Sequence, residues 1–229
     1  MKVSMFIPVY NEEKIIASTV KQVHSSLSAI TKTFELIVVN DGSTDKTEQN
    51  VPKLRNVRVL NMNGPSRREN LGIAFKQAKY PICGYVDADL ATDLDYLPQL
   101  LQNIENGHDI SLGSRYMGER PERELFRRII SVCYNNGLWL LFGTKVKDHQ
   151  CGFKAFNTVK LIPLLDEIGV DKTRRRGWFW DAHLLIRAQR HHYKICEFPV
   201  KWTRGEKSSF SLKTEFKMFL FIVKNFFRI

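Results

Sequence analysis

The chain has 229 residues, 43% of them hydrophobic and 26% charged, which excludes wholesale disorder and suits a single globular domain. Its net charge of +11 is unevenly placed, with residues 1–114 summing to −1 and residues 115–229 to +12. Such asymmetry points to an anionic partner for the second half: nucleic acid, a phosphorylated substrate or an anionic membrane surface. Cys83, Cys133, Cys151 and Cys196 are widely spaced and form no CxxC pair, which predicts reduced thiols in a cytosolic setting. The opening "MKVSMFIPVYNEE" reaches acidic residues too early for a signal peptide.

Val3–Val9 reads as a buried strand. Asn11 is a candidate cap for the helix that follows, with Glu12 and Glu13 in its first turn and Ile16, Val20, Val23, Leu27 and Ile30 at three- and four-residue steps. Further strands are expected at Phe34–Asn40, Val57–Met62, Ile82–Ala88 and Asp109–Ser114, separated by helices over about 44–54, 67–79 and 93–106. Near-continuous apolar strands alternating with helices imply an α/β fold with a mostly parallel sheet covered on both faces. Ligands in such sheets bind beyond the carboxyl ends of the strands, where "PVYNEE", "NDGSTD", "DADLATD" and "GSRY" fall.

The second half predicts a helix over 122–142, arginine-rich at its start and ending in "GLWLLF". A short strand at Cys151–Phe156, a helix over Thr158–Ile168, a basic-aromatic loop "KTRRRGWFW", a helix over Asp181–Arg190 and a strand within Lys194–Trp202 follow. The tail, residues 216–229, has ten apolar residues of 14. As a helix it reaches about 21 Å, short of the ~30 Å hydrocarbon core, so it suits a membrane interface or the domain's own core rather than a span.

Neither GxxxxGK[ST] nor GxGxxG occurs, so a bound nucleotide needs another device. Asp87 and Asp89 stand one residue apart at a strand end, where like charges repel unless water or a cation intervenes. Mg²⁺ or Mn²⁺ typically takes one or two carboxylates plus substrate phosphates, so a metal–diphosphate complex is a candidate occupant. Alone, a DxD is more often a helix start, here capped by Asp89 or Asp93. Glu12 and Asp41 stand at neighbouring strand ends, suited to a base and ribose hydroxyls or, alternatively, to cap and turn roles.

Taken together, "IPVYNEE", "IVVNDGSTD" and "GYVDADL" resemble the nucleotide-sugar-binding half of the inverting family 2 glycosyltransferases, which implies a GT-A fold. "GSRY", "DHQCGFKAF", "GWFWDAHLL" and "FPVKWTRGEKSS" are similar in order and spacing to the polyprenyl-phosphate branch, the dolichyl-phosphate mannose synthases and glucosyltransferases. "CGFK" and "DADLAT" lean toward the glucosyltransferase side.

The resemblance implies that Pro8, Tyr10, Glu12 and Asp41 line the base pocket, that Asp87 contacts the nucleoside and that Asp89 binds the metal. It places Arg115 at phosphate, Asp181 near the transferred sugar, and Arg127, Arg128, Arg204 and Lys207 at the acceptor phosphate. Where mannose synthases offer a metal-binding glutamine this chain has Ala91, leaving the ion to Asp89, substrate phosphates and water. One domain over 1–229 is implied, with a nucleotide-sugar half (1–114), an acceptor half (115–215) and an amphipathic C-terminal helix (216–229). The implied protein is peripheral, at the cytoplasmic face of the membrane, and takes UDP-glucose or GDP-mannose.

A hydroxyl acceptor needs a general base, whereas a lipid phosphate is already an anionic nucleophile near pH 7 and needs cationic positioning. Asp181 is therefore expected to orient the sugar or a basic side chain. A glycan or other hydroxyl acceptor, with Asp181 as base, is the alternative. A nucleic-acid-binding role is a remote one, because the carboxylate-bearing strand ends would repel phosphates.

Overall fold

The computed structural model describes residues 1–66, 68–117, 125–173, 176–203 and 221–222, the side chains of 125–131 excepted. In chain order the elements are β1 (Val3–Val9), α1 (Ile16–Ile30), β2 (Phe34–Asn40), β3 (Val57–Asn61), α2 (Arg68–Phe75), β4 (Ile82–Val86) and, after a 3₁₀ turn at Leu94–Tyr96, α3 (Leu97–Glu105). Then come β5 (Ile110–Ser114), α4 (Leu125–Phe142), β6 (Phe153–Asn157), α5 (Thr158–Ile168), α6 (Phe179–Arg190) and β7 (Ile195–Pro199). The strands form a sheet in the order β3-β2-β1-β4-β6-β5-β7. Among the described residues the strands of this sheet pair in parallel except β6, which runs antiparallel between β4 and β5. Strand order reverses between β1 and β4, so a crevice opens at their carboxyl ends.

Alternation along β1 and β2 divides the interior. Val3, Met5, Ile7 and Val9 pack with Ile16, Val20, Val23 and Leu27 of α1 and with Leu97, Leu100, Leu101 and Ile104 of α3. Phe6, Ile37 and Val39 face the other way, onto α2, α5 and α6. Phe75 centres that second layer, edge-on to Phe6 at 5.0 Å and to Phe156 at 5.8 Å. Gly72 lets α2 approach α6, since a Cβ there would lie 2.9 Å from the Trp180 ring.

Three expectations are corrected. Asn11 does not cap α1: it sits at φ +55°, its Oδ1 accepts from Thr44 N at 2.8 Å, and the helix starts at Ile16. Residues 44–54 form turns with one helical bond, Asn50 N to Lys46 O at 3.0 Å, rather than a helix. There Asp45 captures the Thr47 amide at 2.9 Å, and side chains that bond nearby backbone compete with the helical ladder before Pro52 ends it. α2 also stops at Phe75, short of the expected residue 79. Of the C-terminal tail only residues 221 and 222 are described, and Ile222 is buried against Leu138, Phe179, Ala182 and Ile186.

Two histidines sit neutral inside the protein. Burial pushes His149 down to about 4, against a smaller upward pull from Asp148. Burial and then the Arg176, Arg187 and Arg190 charges push His183 down to about 3. The unfolded chain takes up these protons below its ordinary histidine pKa and the folded chain does not, so stability falls as pH falls. We expect urea midpoints to drop between pH 6.5 and pH 4, with a slope approaching about 1.4 kcal/mol per pH unit for each histidine. A midpoint constant from pH 7 to pH 4.5 would contradict this.

Candidate active site

The loops after β1 and β2 are woven together. Asp41 is buried and follows β2; its carboxylate accepts from Ser66 N at 2.8 Å, Ser66 Oγ at 3.2 Å and Asn70 Nδ2. It thereby fixes the entry to α2. Gly42 turns the chain at φ +76°, and a Cβ there would meet Gly64 Cα at 2.5 Å, so only glycine fits. After β1, the Glu12 backbone N–H donates to Thr47 Oγ1 at 2.8 Å. The Tyr10 side chain is exposed, and Pro8 lies within β1 opposite Val39.

Asp87 and Asp89 follow β4. The Asp87 N–H donates to Gly152 O at 3.0 Å, and Leu90 N–H returns to Asp87 O at 3.1 Å with Leu90 at φ +48°. A Cβ on Gly152 would stand 1.7 Å from Asp87 Oδ2, so the carboxylate occupies the space a side chain would fill. Asp89 is exposed, with Oδ1 accepting from Ala91 N at 3.1 Å. Crowding by surrounding protein and then the Asp87 and Glu12 charges raise its pKa above the ordinary carboxylate value. The chain after β7 crosses this loop: Asp93 N bonds Lys201 O at 3.4 Å and Thr203 N bonds Ala91 O at 2.8 Å.

Behind Asp87 lies a buried ionic cluster. An Arg68 guanidinium nitrogen, Nη2, donates to Asp87 Oδ1 at 2.8 Å, and Arg68 Nε donates to Asp181 Oδ2 at 3.2 Å. Asp181 Oδ1 also accepts from Tyr85 OH at 2.5 Å and from Lys154 Nζ at 3.0 Å. Lys154 is fully buried and donates besides to Tyr85 OH and, at 2.6 Å, to Cys151 O. Burial alone would push Asp181 up, but the Lys154 and Arg68 charges hold it below the usual carboxylate range. Two cations thus face two carboxylates, as buried charge requires.

Arg115, just after β5, forms a second buried pair. Its Nε and one terminal nitrogen each donate to Asp148 at 2.6 Å, and its backbone N–H adds a bond at 2.9 Å. Asp148 is held below the ordinary carboxylate value by the Arg115 charge despite its burial.

The structure therefore brings Pro8, Tyr10, Glu12, Asp41, Asp87 and Asp89 to neighbouring strand ends, with Asp181 behind Asp87 and Arg115 at the end of β5. Arg127 and Arg128 lie in α4, but their side chains, like Arg204 and Lys207, fall outside the described residues. Sequence reasoning missed Arg68, Tyr85, Lys154, Asp148 and Gly152. Two of these carried a signal. Lys154 is a lone cation in an otherwise apolar strand, and Tyr85 shares its strand face with Asp87 by the two-residue period.

This sheet order, with carboxylate-bearing loops at the switch point, is that of the GT-A fold. Residues 4–181 match the Glycosyl transferase family 2, and the chain belongs to that family. It is 34% identical over 211 residues to Glycosyltransferase AglD of Haloferax volcanii, covering 88% of this chain and 33% of that protein, so it spans about a third of that relative. It is 27% identical over 237 residues to the dolichyl-phosphate beta-glucosyltransferase of Saccharomyces cerevisiae, covering 91% of this chain and 69% of the other. Its fold matches glucosyl-3-phosphoglycerate synthase from Mycobacterium tuberculosis, solved with Mn²⁺ and UDP-glucose, with a TM-score of 0.70 at 19% identity over 99% of this chain and 78% of that one.

Removing Asp181 leaves Arg68 and Lys154 under-compensated in the interior. We expect Asp181→Ala to lower stability by about 3–5 kcal/mol and Asp181→Asn by less, because the amide oxygen still accepts one hydrogen bond. Denaturant unfolding of the three proteins measures this, and a wild-type midpoint in Asp181→Ala would refute the cluster's structural weight.

Proposed function

We propose that the chain transfers a hexose, with inversion, from a nucleotide sugar to a polyprenyl or dolichyl phosphate at a membrane surface, with UDP-glucose the favoured donor and GDP-mannose the alternative. The observation that carries the reading is the state of Asp181. It is 2% exposed, neutralised by two cations and depressed in pKa, which makes it a poor proton acceptor. A hydroxyl acceptor needs a base within reach; a phosphate monoester does not, and needs cations to hold it in line with the anomeric carbon. The +12 half supplies them, with Arg127, Arg128, Arg204 and Lys207 assigned to the acceptor phosphate. The names of the dolichyl-phosphate relatives support the same acceptor.

On the donor side we assign Pro8, Tyr10, Glu12 and Asp41 to the base pocket and Asp87 to the nucleoside. Arg68 orients Asp87. Arg115 is assigned to the phosphates, its position set by Asp148.

A divalent ion, Mg²⁺ or Mn²⁺, fits Asp89. The carboxylate lies at the strand end, carries one backbone hydrogen bond, and is destabilised as an anion first by the crowding protein and then by Asp87 and Glu12; a cation would offset both. Among the described residues no group of three metal-ligating side chains is assembled, so Asp89 would share the ion with substrate phosphates. When bound, the ion supplies positive charge to the departing diphosphate.

Membrane contact is assigned to the end of α4, where Trp139, Leu140 and Leu141 are exposed on a strongly basic half of the chain. Among the described residues no helix is long and apolar enough to cross a membrane. Apolar insertion and attraction to an anionic leaflet act together in such contacts, and we place the protein peripherally at the cytoplasmic face.

Purified protein with Mn²⁺ and a short polyprenyl phosphate should convert one of UDP-glucose, UDP-N-acetylglucosamine or GDP-mannose into organic-phase sugar-lipid, and Asp89→Ala should abolish it. Nucleotide binding without lipid product, together with transfer to a soluble sugar, would move the assignment to a hydroxyl acceptor. Because Asp89 must be ionised to hold metal and its pKa is raised, Mn²⁺-dependent nucleotide affinity should fall on acidification in a window above the ordinary carboxylate range of about 3.9. Titration of affinity against pH, with stability monitored in parallel, checks this.

A further inference from the structure

Arg68 and Glu69 are consecutive and both buried at the start of α2, yet they hold different parts of the molecule. Arg68 takes Asp87 and Asp181. Glu69 takes Arg176 through two bonds, Nε to Oε1 at 2.8 Å and Nη2 to Oε2 at 2.5 Å. Arg176 also donates to the carbonyls of Ile168 at 2.9 Å and Gly169 at 2.8 Å and meets His183 Nδ1 at 3.3 Å. Asp171 closes the knot: its N–H donates to Glu69 Oε2 at 3.1 Å, and its carboxylate accepts from Arg176 N at 2.8 Å.

Through Glu69 this knot adjoins Arg68 of the ionic cluster, and Arg176 stands two residues before Trp178. Gly177 turns the chain at φ +53°, and the Trp178 ring then stands 5.3 Å from the Arg68 guanidinium carbon. Tyr85 offers that same guanidinium its ring at 4.8 Å. Aromatic faces of this kind hold a guanidinium by cation–π attraction and fix its plane. A fixed plane aims its N–H donors, and one of them reaches Asp87.

We propose that the Glu69–Arg176 pair is a positioning device for donor binding, acting through Trp178 and Arg68 to hold the Asp87 carboxylate in its nucleotide-binding orientation. A buried ion pair is a weak source of stability compared with apolar residues of the same volume, but it defines one geometry. Here the geometry defined is that of Trp178 over Arg68. The inference rests on the nucleotide-sugar reading above.

The test is calorimetric titration of the full chain with UDP and with GDP, each with Mn²⁺, alongside thermal unfolding. Glu69→Leu/Arg176→Met removes both charges at once, so no uncompensated ion remains. It should keep a melting temperature close to wild type while losing about tenfold in nucleotide affinity, the size of a desolvated cation–π contact. Trp178→Leu, which leaves the pair intact, should lose as much, and Trp178→Phe should stay within about twofold. If the double variant fails to fold, the two Trp178 variants decide. Wild-type affinity in Trp178→Leu, or in a folded double variant, overturns the proposal and leaves the pair a purely structural tie. Absence of binding by the wild type to either nucleotide overturns the nucleotide-sugar reading, and the proposal with it.

Discussion

Arg68 between Asp87 and Asp181 is the contact on which the active site depends. A guanidinium stays charged at any accessible pH, and this one is 5% exposed, so its partners must remain ionised and close. Those partners come from different elements: Asp87 from the loop after β4, Asp181 from α6, with Tyr85 on β4 and Lys154 on β6 completing the set. Taking an ion out of water costs several kcal/mol after relaxation, so no member can drift without a penalty to the others. The Asp87 carboxylate is thereby held rigid from behind.

The same arithmetic separates two kinds of acid in the site. Asp181 is matched by cations and depressed; Asp89, a few residues beyond β4, is matched by none among the described residues and raised. One is neutralised within the fold, whereas the other meets like charge from Asp87 and Glu12. The first half is close to neutral at −1, while the net positive charge of +12 gathers in the second. A donor that brings its own cation and an acceptor that brings only negative charge would each find the half that suits it.

The parallel core was readable because its strands are apolar on both faces and its helices periodic; Val3–Val9, Phe34–Asn40 and Thr158–Ile168 appear at the expected bounds. The strand-end carboxylates were readable for the same reason, since the topology sends such loops to one edge. The direction of β6 was not, because a five-residue strand carries no mark of which neighbours it will join. Residues 44–54 misled because their spacing is helical while their Ser, Thr and Asp side chains bond the backbone locally. Arg68 and Glu69 carry no local mark of burial, since partners more than a hundred residues away, Asp181 and Arg176, help draw them inside.

The position of β6 bears on how the molecule is made. Among the described residues β5 pairs with β6 and β7, both of which lie later in the chain. A nascent polypeptide that has emerged as far as Ser114 can pair β1, β2, β3 and β4, but the fifth strand has nothing to join. It must wait for α4 and the return of Phe153–Asn157, which slots between β4 and β5. Contacts that join such distant segments form slowly, and this one also delivers Lys154 and Gly152 to the cluster behind Asp87. Assembly of the cluster behind Asp87 is therefore a late event, and a chain interrupted at Ser114 would carry Arg68 and Asp87 without Lys154 and Asp181.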